Sequence, residues 1–272
     1  IIMEKTRINR FISKYNLAGL VESVKWESKD GSLSTNFISD DKSVLGTVSL
    51  SEFDFEDSTF GVYDTTKLTK MLSVLSDDVD FDITKTEDKA ISLKFKDGST
   101  SVNYMLADLS VIPNVPDLKQ LPDFNITIKL DDTFINRFIR AKSALPDENN
   151  FTFTCKNNKG SIILGYSNIN TNRIKIDVDC TCDSDVEPIS FSANFLKEIL
   201  VANKEAKDAT LKISSDGLAH ISFEVDEYKS DYYLHPTPCS SRLNIRYCLE
   251  YFLLWYDYHP TIGRYPENFP LR

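Results

Sequence analysis

The pentapeptide Ile-Asn-Arg-Phe-Ile stands at residues 8–12 and again at residues 135–139, an offset of 127. Self-similarity at a fixed period marks a repeated structural unit when other blocks keep the same register. Two further blocks do so at an offset of 128. Tyr63-Asp64 with Leu68, Met71 and Leu72 aligns with Phe191-Ser192 with Leu196, Ile199 and Leu200. Ile83, Leu93, Phe95, Tyr104 and Leu106 align with Leu211, Ile221, Phe223, Tyr232 and Leu234. A chain patterned in this way is expected to fold as two like units, since the same spacing of apolar residues specifies the same core twice. Its 272 residues, 41% hydrophobic, are enough for two ordinary cores.

Four segments carry helical period. Residues 4–19 place Ile8, Phe11, Ile12 and Tyr15 on one face and reach Gly19, a helix stop. Residues 65–75 follow Asp64 as N-cap and turn Leu68, Met71, Leu72 and Leu75 inward. Residues 131–145 open on two aspartates, stop at Pro146 and bury Phe134, Ile135, Phe138 and Ile139. Residues 193–207 follow Ser192 as N-cap and bury Leu196, Ile199 and Leu200. The stretches between alternate as strands do: 20–28, 33–39, 44–51, 60–63, 81–86, 91–96 and 102–106 in the first half. The second half repeats them at 125–130, 151–156, 161–166, 173–180, 189–191, 210–214, 220–225 and 231–234. Lys29-Asp30-Gly31 and Lys96-Asp97-Gly98 supply hairpin turns.

The expected class is α+β, a duplicated domain with antiparallel sheets. The first domain is assigned to 3–110 and the second to 124–235. Between them runs a connector, 111–123, spaced by Pro113, Pro116 and Pro122. The opening Ile-Ile-Met reads as a start slightly upstream of Met3 as initiator. Residues 236–272 stand apart as an atypical tail. From 235 onward there is no Lys but 4 Arg, against 22 Lys and 5 Arg before it, and half the prolines fall there. Such a tail is either a small appended element or a read-through segment without an evolved role.

The formal charge of −10 argues against a nucleic-acid partner until its distribution is examined. The four helical segments carry a net +7, so the rest of the chain carries −17. Arg7, Arg10 and Lys14 form a stripe at i, i+3 and i+7 opposite the apolar face of the first helix. Lys67 and Lys70 occupy the second, Arg137, Arg140 and Lys142 the third, and Lys197 and Lys204, with Lys207, the fourth. Basic residues on one exposed helix face are ordinary solvation. The same asymmetry in all four helices of an acidic chain points to an anionic partner facing the helices and acidic sheets facing away. Helices lining a hole wide enough for duplex DNA, with sheets as the outer wall, would satisfy that charge division without reading sequence.

Catalytic equipment is not expected. Residues 160–165 have phosphate-loop glycine spacing, but Tyr166 and Ser167 stand where Lys and Ser/Thr are required. Asp177, Asp179, Asp183, Asp185 and Glu187 bracket Cys180 and Cys182 in an acidic hairpin whose period suits a solvated strand face. Cys180 and Cys182 lack a second pair at zinc spacing, and five cysteines without framework spacing fit free thiols in a reducing compartment. No nucleophile–histidine arrangement assembles, no cofactor loop is present, and residues 251–256 are too few to span a bilayer. A soluble, intracellular, non-enzymatic binding protein is the expectation, with no metal and no cofactor. The rival class is a duplicated structural or interaction module, such as a virion component, without a DNA role.

The chain resembles the DNA sliding clamps, specifically the two-domain processivity factors of T4-like phages. The resemblance rests on the basic first helix with Ile8-Asn9-Arg10-Phe11-Ile12 and on Phe60-Gly61-Val62-Tyr63-Asp64 leading into 68–75 and Asp77-Asp78. It rests also on the connector Ser110-Val111-Ile112-Pro113-Asn114-Val115-Pro116 and the closing Tyr232-Tyr233-Leu234. It spans about residues 4–234. It implies a homotrimeric ring of six like domains around double-stranded DNA, opened by an ATP-dependent clamp loader and tethering a DNA polymerase. The cytoplasm of an infected bacterial host would be its place of action. It further implies a pocket for short hydrophobic partner peptides, carried here onto Val111, Ile112, Pro113, Tyr232, Tyr233 and Leu234.

Overall fold

Among the described residues of the computed structural model, strand alternation and helical period become seventeen strands and four α-helices. The structure describes residues 1–237 except 88, 117, 119, 120, 158, 168, 183, 184, 207 and 208. The tail from residue 238 therefore lies outside the described residues, as do Asp183 and Lys207. The first half runs β1 (Ile2–Glu4), α1 (Lys5–Asn16), β2 (Val24–Lys29), β3 (Ser32–Ile38), β4 (Val44–Leu50), β5 (Ser58–Val62), α2 (Thr65–Leu72), β6 (Asp78–Thr86), β7 (Lys89–Asp97) and β8 (Thr100–Met105). The second runs β9 (Ile126–Leu130), α3 (Asp132–Ala144), β10 (Asn150–Lys156), β11 (Lys159–Leu164), β12 (Ile174–Val178), β13 (Cys180–Cys182), β14 (Val186–Ser192), α4 (Ala193–Ala202), β15 (Ala209–Ile213), β16 (Ala219–Val225) and β17 (Tyr228–Leu234). All strand pairs are antiparallel.

Three sheets result. Two have four strands, β1-β6-β7-β8 and β12-β11-β10-β14. The third has nine, ordered β13-β9-β15-β16-β17-β4-β3-β2-β5, and passes through both halves of the chain. Its continuity comes from β17 pairing with β4, from Tyr228 opposite Leu50 to Leu234 opposite Val44. Gly46 is the position that permits this junction. A Cβ there would lie 2.4 Å from Phe37 Cζ and 2.9 Å from the Asp231 carbonyl oxygen.

The helices form for the local reasons expected. Asp64 Oδ1 accepts from Lys67 N at 2.8 Å, Asp131 Oδ1 from Phe134 N at 2.7 Å and Ser192 Oγ from Phe195 N at 3.3 Å. Each cap satisfies one of the first-turn amides, worth about 1 kcal/mol. The first helix stops before Gly19. Asn16 Oδ1 accepts from Gly19 N and its Nδ2 donates to Val21 O, while Leu17 and Ala18 take left-handed backbone at φ 49° and 57°.

The apolar faces pack as the period dictates. Phe11 and Tyr15 of α1 meet Trp26 of β2 edge-on, at 5.4 and 6.3 Å, and Trp26 Nε1 donates to Tyr15 Oη. Phe53, Phe55, Phe60, Phe81 and Phe95 form a second aromatic cluster. Burial of each such ring contributes about 1.5–3 kcal/mol. Among the described residues no helix is long and apolar enough to cross a membrane.

Candidate nucleic-acid interface

The four helices touch in the order α2-α1-α4-α3: α1 packs on α2, α3 on α4, and α1 on α4 across the two halves. The basic residues are thereby gathered in one neighbourhood, but they divide into two kinds. Lys67 and Lys70 on α2, Arg137 and Arg140 on α3, and Lys204 after α4 are exposed. None of these five makes an ion pair with a described residue. Lys197 is half-buried and pairs with Glu198 at 3.1 Å.

The stripe on α1 behaves differently from the sequence expectation. Arg7 Nε donates to Glu227 at 3.1 Å, and its guanidinium also reaches the carbonyls of Ser51 and Glu52. Arg10 sits 4.5 Å from the Tyr228 ring centroid and pairs with Asp226 at 2.8 Å and Glu205 at 3.3 Å. Lys14 is 1% exposed, and its Nζ donates to Ala202 O, Asn203 Oδ1 and Glu205 at 3.0, 3.1 and 2.8 Å. Tyr228 and Tyr232 close the network by donating to the carbonyls of Arg7 and Lys14. Burial lowers the Lys14 pKa, with the Glu205 hydrogen bond opposing it. Burial pushes the Glu205 carboxyl up, but its bond from Lys14 and its other hydrogen bonds prevail and hold it below the ordinary value.

The expectation that Lys14 faces an anionic partner is therefore corrected. Its ammonium is spent inside the protein, holding α1 to the end of α4. Lys142 is corrected likewise: it is 6% exposed and its Nζ caps the α3 terminus at the Pro146 carbonyl, 2.8 Å away. Helical spacing places a residue on a face but cannot tell solvent from a second half of the same chain.

The sheet side faces the other way and is mixed. Lys25, Asn36, Thr47, Asp231, Ser222 and Thr210 lie in register across β2, β3, β4, β17, β16 and β15 as a polar row. The neighbouring row, Ile38, Leu45, Tyr233 and His220, is apolar and aromatic. His220 stacks on Tyr233 at 4.5 Å and lies 5.8 Å from Phe124, and its Nε2 is 2.9 Å from Asp231. That hydrogen bond holds the Asp231 carboxyl below the usual range. Just ahead of the connector Ala107 N donates to Gly61 O of β5, and the connector itself begins with Ile112 beside Gly61. It touches β2 through Lys25 Nζ to Asn114 Oδ1 at 3.0 Å, and its far end brings Phe124 to β16.

Of the residues assigned to a partner pocket, Val111 and Pro113 are exposed and Tyr233 is half-exposed on this sheet side. Ile112 is buried against β5. Tyr232 and Leu234 are corrected: both are fully buried in the core, because strand alternation turns them opposite to Tyr233. Sequence reading missed Ile38, Leu45 and His220. Leu45 breaks the polar phase of β4, and that was the available signal.

No protein-family model matches the chain, and no curated protein matches it. Its fold is similar to that of proliferating cellular nuclear antigen from Entamoeba histolytica, with a TM-score of 0.68, 15% identity and coverage of 87% of this chain and 97% of that one. It is likewise similar to a structure of the C-terminal region of FEN-1 bound to A. fulgidus PCNA, with a TM-score of 0.66, 19% identity and coverage of 89% and 99%. The chain has the sliding-clamp fold.

Proposed function

We propose that the chain is a DNA sliding clamp of the two-domain type known from T4-like phages, a non-enzymatic ring that encircles duplex DNA and tethers a polymerase. Its domains are 3–110 and 124–235, joined by the connector 111–123. The observation that carries this reading is the junction of β17 with β4. Under the 128-residue repeat β17 is equivalent to β8, and β4 to β12. Both equivalents are edge strands of their sheets. Each chain thus presents at its two ends the two partners of a contact it makes in its middle.

A head-to-tail contact of this kind is heterologous and closes into a ring when its rotation permits. Shifting the β17–β4 register by 128 gives the register between copies: Asn103 opposite Lys175, and Val102 opposite Ile176. The same shift sets α3 of one copy on α2 of the next. Arg137 then takes the place of Arg10, and Asp77 that of Glu205. Three copies give six like domains, with the helices inward.

Lys67, Lys70, Arg140, Lys197 and Lys204 would then face the phosphates, with Arg7 and Arg10 contributing at the junction between halves. Long cations near, but not locked to, a backbone give sequence-independent attraction that permits sliding. Ile38 and Tyr233, over the buried Leu45, with Val111 and Pro113 would accept hydrophobic peptides from the polymerase and from an ATP-dependent loader. FEN-1 bound to a protein of this fold supports peptide capture.

Light scattering across a concentration series tests the ring. The expected solution mass is three times the 31.0 kDa chain. Lys175→Pro, on an exposed side chain at the position equivalent to Thr47, which faces β17 from β4, removes an edge donor from β12 and should give monomers. A wild-type chain that stays monomeric at high concentration would overturn the proposal.

A further inference from the structure

Cys180 and Cys182 stand opposite Ile128 and Ile126 of β9, and both partners point into the core. The chain reaches this position by leaving β12, in one sheet, and entering β13, in another. Cys155 arrives from β10, 25 residues earlier, and is fully buried. The three sulfurs converge: Cys180 to Cys182 is 3.2 Å, Cys155 to Cys180 is 4.0 Å, and all lie within 4.8 Å of one another. A fourth feature makes the convergence possible. Gly160, opposite Cys155 in the β10–β11 hairpin, has no side chain, and a Cβ there would sit 2.5 Å from Cys180 Sγ.

We infer that Cys155, Cys180 and Cys182 form a three-thiolate site for a soft d10 metal ion of the zinc(II) class, clipping β13 to β10 where the chain changes sheets. Zinc–sulfur bonds of about 2.3 Å in tetrahedral geometry set sulfurs about 3.8 Å apart, between the observed separations. Among the described residues no histidine or carboxylate joins the three within that radius, so three thiolates make up the donor set there. Thiolates select such ions over hard cations. Cys180 is half-buried, which leaves the group an opening to solvent.

Binding breaks three S–H bonds, forms three sulfur–metal bonds and sends three protons to solvent, with no change in oxidation state. Because each ligand thiol must lose its proton on binding, affinity rises with pH.

The test uses the full chain, reduced and stripped of metal, titrated with cobalt(II) and then zinc(II). One equivalent of cobalt should produce thiolate-to-cobalt charge transfer, and zinc should displace it. Cys155→Ser or Cys180→Ser should weaken binding by more than about tenfold, and Gly160→Ala, which keeps every thiol, by roughly tenfold. The double change Cys239→Ser/Cys248→Ser should alter nothing. Zinc should also shield Cys155, Cys180 and Cys182 of the unaltered chain from maleimide, mapped by mass spectrometry, a readout independent of whether any variant folds. Absence of charge transfer in the wild type overturns the inference. So does a band that survives Cys155→Ser but is lost with Cys239 and Cys248, or equal alkylation of the three thiols with and without zinc.

Discussion

Lys14→Met separates a cation that holds the protein together from one that meets a partner. The side chain is 1% exposed and methionine fills nearly the same volume, so no large cavity arises. What is lost is hydrogen bonding and charge. The Ala202 carbonyl and Asn203 Oδ1 each lose a donor at about 3 Å, and a buried acceptor left unpaired costs about 1–3 kcal/mol. The ion pair with Glu205 adds less than a fully buried pair would, because the Glu205 side chain is 32% exposed and keeps Arg10 at 3.3 Å. We assign it about 1 kcal/mol. The expected total is about 3–7 kcal/mol. With a urea slope of about 3 kcal/mol per M, the unfolding midpoint falls by about 1–2 M at constant slope. Lys67→Met, on an exposed side chain, should shift stability by no more than about 0.5 kcal/mol. Equal midpoints for wild type and Lys14→Met, or a more stable variant, would refute the assignment of Lys14 to the junction. A double-mutant cycle with Glu205→Gln should return a coupling of about 1 kcal/mol.

The Asp97 carboxylate accepts from Ser76 N at 2.6 Å, Ser76 Oγ at 2.7 Å and Thr100 N at 2.8 Å, and these bonds hold its pKa below the ordinary value. A depressed carboxylate contributes stability above its unfolded pKa and loses it as pH falls through the folded value. The stability advantage of wild type over Asp97→Asn should therefore shrink progressively below about pH 4, followed by urea unfolding across pH. Gly46→Ala should destabilise by about 1–3 kcal/mol, since its Cβ meets both Phe37 and the Asp231 carbonyl; an unchanged melting midpoint would show that the β4–β17 junction yields freely. Loaded protein should leave DNA faster as salt rises, and Lys67→Glu with Lys70→Glu and Arg140→Glu should weaken retention while leaving urea unfolding within about 0.5 kcal/mol of wild type. Retention equal to wild type at every salt concentration would remove these residues from the DNA-facing surface.

Period and caps made the elements legible. Asp64 and Ser192 cap their helices where they were expected, Asp131 caps the third helix it was expected to open, and the hairpin at Lys96-Asp97-Gly98 joins β7 to β8. Boundaries were less so. The fourth helix ends at Ala202 rather than near 207, and the strand assigned to 173–180 divides at Asp179 into β12 and β13 in different sheets. β1 was missed altogether, because three residues carry too little alternation to register. The candidate surfaces were half legible. Lys67, Lys70, Arg137 and Arg140 are exposed on their helices and Lys204 is exposed beyond the end of α4, while Lys14, Lys142, Tyr232 and Leu234 turned out to be interior.

What the sequence alone determined is local and periodic. The offset of 127 to 128 residues announced two like units, and the excess of Lys and Arg in helices over an acidic remainder announced which side of them is basic. These properties need only spacing along the chain. Only tertiary structure decided what each basic or apolar side chain meets. Arg7, Arg10 and Lys14 are a solvent stripe by helical period, yet the β16–β17 turn and the end of α4 fold over them. Cys155 is distant from Cys180 and Cys182 in sequence, yet the sheet crossover brings their sulfurs together. Contacts between residues far apart in the chain depend on register and on sheet order, which apolar spacing constrains only within a single element.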